Sequence, residues 1–148
     1  MAETARNITP PAGWDRSGLP GWCYHSSALL ELEKEHLFKT HWQIACHVSD
    51  IPDPGSYQTF DFCGERAIII RGEDGEVQAF HNICRHRGSR LVAKDKGVCS
   101  NAMICPFHGW VYNLDGTLRG AAQPDSYPPM DKHEFALRPV EYEVWNGF

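Results

Sequence analysis

The 148-residue chain has no apolar run of membrane-spanning length; the longest, Ala67 to Ile70, is only strand-sized. Its opening, "MAETARNITPPAGWDRSGLPGW", has neither an apolar targeting core nor a twin arginine. No signal peptide is therefore expected, and the chain reads as soluble and cytoplasmic, without a membrane partner. Positive charge is also scarce. Fourteen Lys and Arg stand against nineteen Asp and Glu, and the formal charge of −5 argues against nucleic acid as a partner. No internal repeat recurs beyond two short Cys/His pairs.

The hydrophobic share of 42% is that of a folded protein, and the length suits one domain with a modest core. Six cysteines would be many in a reducing compartment unless some bind metal. Cys23, Cys46, Cys63 and Cys99 fall outside the two glycine-tipped Cys/His motifs and read as small, mostly buried residues; Cys99, close to Cys105, is a spare-thiolate candidate.

Residues 1–20, rich in Pro and Gly, read as a flexible arm. Residues 21–50 form a helical segment. Within it "ALLELEKEHLFKTHW" (Ala28–Trp42) lacks Gly and Pro and is expected to be one helix of about four turns, capped by Ser26 or Ser27. Leu30, Leu37, Phe38 and His41 fall on one face. From Ile51 the pattern turns to short β-prone runs with Gly-containing turns. Strands are expected at Tyr57–Phe62, Ala67–Arg71 and Val77–Phe80. A hairpin follows around Asp115-Gly116, and a closing strand is expected over Leu137–Trp145. The fold class is mainly β, a small antiparallel sandwich or barrel.

The chemistry concentrates in "FHNICRHRGSRLVAKDKGVCSNAMICPFHGW" (Phe80–Trp110). Cys84-Arg85-His86 and Cys105-Pro106-Phe107-His108 each offer one thiolate and one imidazole. Structural zinc takes Cys2His2, but its usual spacing groups like with like, whereas each pair here mixes the types. An electron-transfer copper site wants two histidines and one cysteine, leaving a cysteine over. A Rieske [2Fe–2S] centre needs two cysteines on one iron and two histidines on the other, which two parallel loops deliver. Gly88 and Gly109 allow the tight backbone that lets amides approach a cluster, and Trp110 and Phe107 are apolar covers. His36 and His41, with Glu33 and Glu35 nearby, loosely resemble an iron motif. They are five apart, about 140° round a helix, and read as ordinary histidines.

The pattern C-x-H-R-G-(16)-C-P-F-H-G-W-x-Y, Cys84 to Tyr112, resembles the Rieske motif of the α subunit of Rieske non-haem iron oxygenases, the ring-hydroxylating family. "LLELEKEHLFKTHWQIACHVSDIPDPGSY" and "VQAFHNICRHRG" extend the likeness over about residues 20–148. The resemblance implies a Rieske-type antiparallel β-sandwich over residues 51–148, with two cluster-binding loops, preceded by the one N-terminal helix. It implies Cys84, His86, Cys105 and His108 as ligands of a [2Fe–2S] cluster, with Arg87, Gly88, Gly109, Trp110 and Tyr112 around them. It implies electron delivery from an NAD(P)H-dependent reductase or ferredoxin, and a homotrimer in the full-length family. The family's mononuclear Fe(II) lies in a C-terminal domain beyond residue 148, and the apolar ending "EYEVWNGF" reads as a cut chain. The implied function is electron entry for a mono- or dioxygenase. The run "HLFKTHWQIACHVSDIPDPGSYQTF" is most similar to the branch that oxidises quaternary ammonium compounds.

Respiratory Rieske proteins differ by an extra cysteine in each loop and by a serine near the cluster, where this chain has Trp110. Fewer hydrogen bonds to sulfur favour the oxidised state, so the potential is expected near about −150 mV. A free-standing Rieske ferredoxin-type electron carrier is the alternative function, favoured by length but not by the N-terminal helix. Arg85, Arg87, Arg90, Lys94 and Lys96 form either a basic rim for an acidic redox partner or a set of solvated and locally paired charges.

Overall fold

The computed structural model describes residues 12–13 and 18–148. Most of the arm expected over residues 1–20 lies outside the described residues. The chain divides into two compact units, Met1–Gln43 and Ile44–Phe148.

In the first unit, helix α1 (Ser27–Glu33) starts where Ser26 Oγ accepts the Leu29 amide at 3.2 Å. It widens into a π-helical turn, Lys34–Phe38, and stops short of the expected Trp42. Polar side chains take the last carbonyls in place of another turn. Thr40 Oγ1 donates to His36 O at 2.8 Å, and Gln43 Nε2 donates to Phe38 O at 3.1 Å. The apolar face is not buried: Leu30 and Leu37 are exposed.

The second unit carries two antiparallel sheets. β1 (Ser56–Phe62), β2 (Glu65–Arg71), β3 (Val77–His81) and β4 (Lys96–Val98) form one sheet in the order β3-β2-β1-β4. β5 (Met103–Ile104), β6 (Val111–Tyr112) and β7 (Leu118–Gly120) form the other. The mainly β, antiparallel architecture expected from the sequence is what forms, although β4 and β5 are too short to have announced themselves.

Strand β2 explains why "AIII" shows no alternation: both its faces are covered. Ile68 and Ile70 enter the main core with Tyr57, Phe80, Leu91, Met103, Trp110, Tyr112 and Leu118, residues drawn from both sheets and the loops. Ile69 points the other way, into a smaller cluster with Ile51, Val77 and Ala79. Each fully buried isoleucine contributes about 1.5–3 kcal/mol of transfer free energy.

The closing strand does not form. Residues 137–140 meet β3 through one bridge, Phe80 to Pro139, flanked by His81 N to Arg138 O at 2.9 Å and Val140 N to Ala79 O at 3.0 Å. Pro139 sits between these two bonds, at a position that asks for no amide on the β3 side. Among the described residues, no helix is long and apolar enough to cross a membrane.

Candidate metal centre

Two turns, one following β3 and one following β5, share a hydrogen-bond frame. In the first, the Cys84 amide donates to Ser89 O at 2.7 Å and the Gly88 amide donates back to Cys84 O at 3.0 Å. In the second, the Cys105 amide donates to Trp110 O at 2.8 Å and the Gly109 amide to Cys105 O at 3.0 Å. Each turn therefore runs from a cysteine to a glycine four residues on. Gly88 sits at φ +74° and Gly109 at +66°, where a side chain is strained. The glycine amides themselves close the turns. The histidines occupy different rungs: His86 is two residues after its cysteine and His108 three.

This frame brings together all four residues predicted as ligands. Cys84 and Cys105 are each 2% exposed, with their thiols side by side. The His86 and His108 rings lie 4.7 Å apart at 72°. His86 Nδ1 is buried and has no hydrogen-bond partner. A buried imidazole nitrogen left without a partner loses solvation with nothing in return, unless something outside the protein's own groups binds it. Among the described residues, no three or more His, Cys, Asp or Glu side chains gather round a single point. The donors stand instead as one sulfur pair and one imidazole pair.

Burial pushes the Cys84 thiol above its ordinary value, opposed by the Tyr112 hydroxyl, while the neighbouring Cys105 adds to the rise. Burial, then the neighbouring His108, holds His86 below its ordinary value. Both shifts favour the neutral forms of Cys84 and His86, so a bound cation is what would draw the Cys84 thiol into the thiolate form.

The surrounding residues take distinct places. Tyr112 is wholly buried; its hydroxyl lies 3.3 Å from Cys84 Sγ and accepts the Arg85 amide at 3.0 Å. Trp110 stacks on His86, rings 4.9 Å apart and 8° from parallel. Its indole N–H donates to the Tyr127 hydroxyl and not to sulfur. Phe107 also covers a histidine, 3.9 Å from the His108 ring, yet is largely exposed itself. Arg87 is exposed.

Of the basic rim, Arg90 pairs with Asp61, and Lys96 with Asp50 at 2.7 Å. That favours the locally paired reading for these two. Cys99 is half-buried and its thiol is pushed up by burial, which does not suit a spare thiolate. His41 Nδ1 faces Leu37 O at 2.9 Å and His36 is exposed, as expected of ordinary histidines.

Sequence reasoning missed Asn82. It is fully buried just before the first turn; its Oδ1 accepts the Leu91 and Val92 amides at 3.1 and 3.0 Å, and its Nδ2 donates to Val92 O at 2.8 Å. One side chain thus ties both arms of the Cys84 turn together. An asparagine directly after the apolar run of β3 was the available signal.

The model of the Rieske [2Fe–2S] domain matches residues 41–134. The chain is 36% identical, over 139 residues, to the carnitine monooxygenase oxygenase subunit of Acinetobacter baumannii, covering 94% of this chain and 36% of that protein. It is 36% identical to the glycine betaine monooxygenase oxygenase subunit of Pseudomonas aeruginosa, covering 88% of this chain and 30% of the relative. The apo crystal structure of the quaternary ammonium Rieske monooxygenase CntA superposes with a TM-score of 0.79 at 37% identity, covering 88% of this chain and 38% of that one. The chain thus spans about a third of the length of these relatives.

Proposed function

The chain belongs to the Rieske [2Fe–2S] domain family, and on that premise we propose that it is the electron-entry part of a terminal oxygenase. Cys84 and Cys105 would hold one iron of the cluster, and His86 and His108 the other. The observation that carries this reading is the two-plus-two division of donors on matched turns, with two buried thiols together and the buried His86 Nδ1 unpartnered. When bound, the cluster supplies one-electron reduction and reoxidation.

The chain's own residues do the rest. The matched turns hold the four donors at fixed separation, so little rearrangement accompanies a change of charge. Tyr112 would donate its hydroxyl proton to Cys84 Sγ, since a metal-bound thiolate has no proton to give, while its oxygen accepts the Arg85 amide. Trp110 and the β-sheet core exclude water from the thiol side.

The redox partner in this reading is an NAD(P)H-dependent reductase or a ferredoxin, and the full-length protein is a homotrimer whose mononuclear Fe(II) lies outside these 148 residues. Relatives named for carnitine and glycine betaine support a quaternary ammonium substrate. They also favour an oxygenase over a free-standing Rieske ferredoxin.

Anaerobic reconstitution with iron and sulfide tests the assignment. About two irons and two acid-labile sulfides per chain are expected, with a Rieske-type EPR signal on reduction. Cys84→Ser and Cys105→Ser should each abolish it. The reduced chain should pass electrons but hydroxylate nothing alone. Stoichiometric zinc with no iron signal would sink the proposal.

A further inference from the structure

We propose that Tyr127 is a positioning residue for the His86 imidazole, acting both directly and through Trp110; this rests on the reading of His86 as a ligand. Tyr127 lies in the loop "QPDSYPPM", which neither the motif nor the proposed ligand set includes.

The ring of His86 is confined by three neighbours. Trp110 covers one face in parallel, His108 meets it at 72°, and Tyr127 meets it edge-on at 5.5 Å and 86°. Two of these three are linked to each other. Tyr127 stands edge-on to Trp110 at 5.7 Å and 81°, and its hydroxyl accepts the Trp110 indole N–H at 3.3 Å. Trp110 is 1% exposed, so in the folded chain its N–H has the Tyr127 hydroxyl as acceptor in place of bulk water.

The loop is built to present this side chain. Gln123 takes a left-handed conformation (φ 56°), Pro124 opens a short 3-10 turn, and the Tyr127 amide closes it on Pro124 O at 3.1 Å. Tyr127 is thereby a strut between a surface turn and the His86–Trp110 stack. Removing it frees Trp110 to turn and His86 to tilt. A metal-bound imidazole is sensitive to such a tilt because the ligand's ring plane and hydrogen-bonding surroundings tune the metal.

Phe135 provides the control. It meets Trp110 edge-on at 5.5 Å, and its ring shows no contact with the His86 ring. The reconstituted full chain should be compared as wild type, Tyr127→Leu, Tyr127→Phe, Phe135→Leu and His86→Ser. EPR g-values and midpoint potential are read on the reduced or titrated protein, and melting temperature on the same samples. Tyr127→Leu should shift and broaden the EPR signal and move the midpoint. Phe135→Leu should lower the melting temperature and leave the g-values in place.

A shift in Tyr127→Leu alone assigns the effect to the ring edge; a shift in Tyr127→Phe as well adds the hydroxyl. Either upholds the proposal. It is overturned if Tyr127→Leu gives a wild-type spectrum, or if Phe135→Leu moves the signal equally. Should the leucine variant fail to fold, Tyr127→Met is read in its place, where unchanged g-values and midpoint overturn the proposal and a shift upholds it. The ligand reading fails separately if wild type takes up no cluster, or if the signal survives intact in His86→Ser; the Tyr127 role then falls with it.

Discussion

Replacing Tyr112 with phenylalanine should lower the midpoint potential of the reconstituted chain. The Tyr112 oxygen accepts the Arg85 amide, and toward a metal-bound Cys84 thiolate, 3.3 Å away, the hydroxyl can only donate. That bond stabilises negative charge on sulfur, and reduction adds one electron to the centre. A hydrogen bond to a charged acceptor is worth about 1.5–3 kcal/mol. If about half of that differs between the two redox states, the loss is about 0.75–1.5 kcal/mol, or about 30–65 mV for a one-electron couple. The site is dry, with Tyr112 wholly buried, so no water takes over the donor's place. The Arg85 amide also loses its partner, adding a stability cost of about 1–3 kcal/mol. Potentiometric titration followed by EPR, at one pH, measures the first quantity and thermal melting the second. A midpoint unchanged within about 10 mV, or raised, would refute the hydrogen-bond account of this potential.

Other substitutions test the frame that holds the donors. Asn82→Ala removes three hydrogen bonds from a fully buried position; a loss of about 2–4 kcal/mol, with reduced cluster occupancy, should appear in urea titration and iron analysis. Gly88→Ala and Gly109→Ala should each cost about 1–2 kcal/mol for the left-handed backbone. The second should cost more, since a new Cβ would lie 3.1 Å from Ala122 Cβ whereas the first opens into free space. Removing iron with a chelator should lower the melting temperature, because the buried thiols and His86 Nδ1 then lose the group that compensates them. The pH dependence has one identifiable contributor in Asp50, whose carboxyl is held below 3.8 by the Lys96 ammonium and then by the His47 amide. Because the folded value is the lower one, its stabilisation is present above the ordinary value and fades as pH falls through the folded one. Asp50→Asn should flatten the acid limb of a stability profile, and an unchanged limb would discount the pair.

The quaternary ammonium reading and the oxygenase reading stand or fall on different measurements. Electron uptake by the 148-residue chain tests its own residues. Substrate hydroxylation tests a protein of which this chain matches about a third.

The sequence by itself determined which four donors are proposed, because mixed Cys/His pairs on glycine-tipped turns satisfy few metals. It also determined strands β1 to β3 and the β6–β7 hairpin, where β-prone runs and turn residues agree with the final pairing. The helix ends at Phe38, where side chains of Thr40 and Gln43 reach back to its carbonyls, a local competition that propensity does not weigh. Two features were decided only by the tertiary structure. The Leu137–Trp145 segment is β-prone, yet it pairs with β3 through a single bridge at Pro139, and Tyr142 reaches the Val77 carbonyl with its hydroxyl. The roles of Asn82 and Tyr127 depend on partners ten and forty-one residues away. Local sequence encodes backbone preference and ligand chemistry; which nitrogen is left bare, and which ring holds it still, is set by long-range packing.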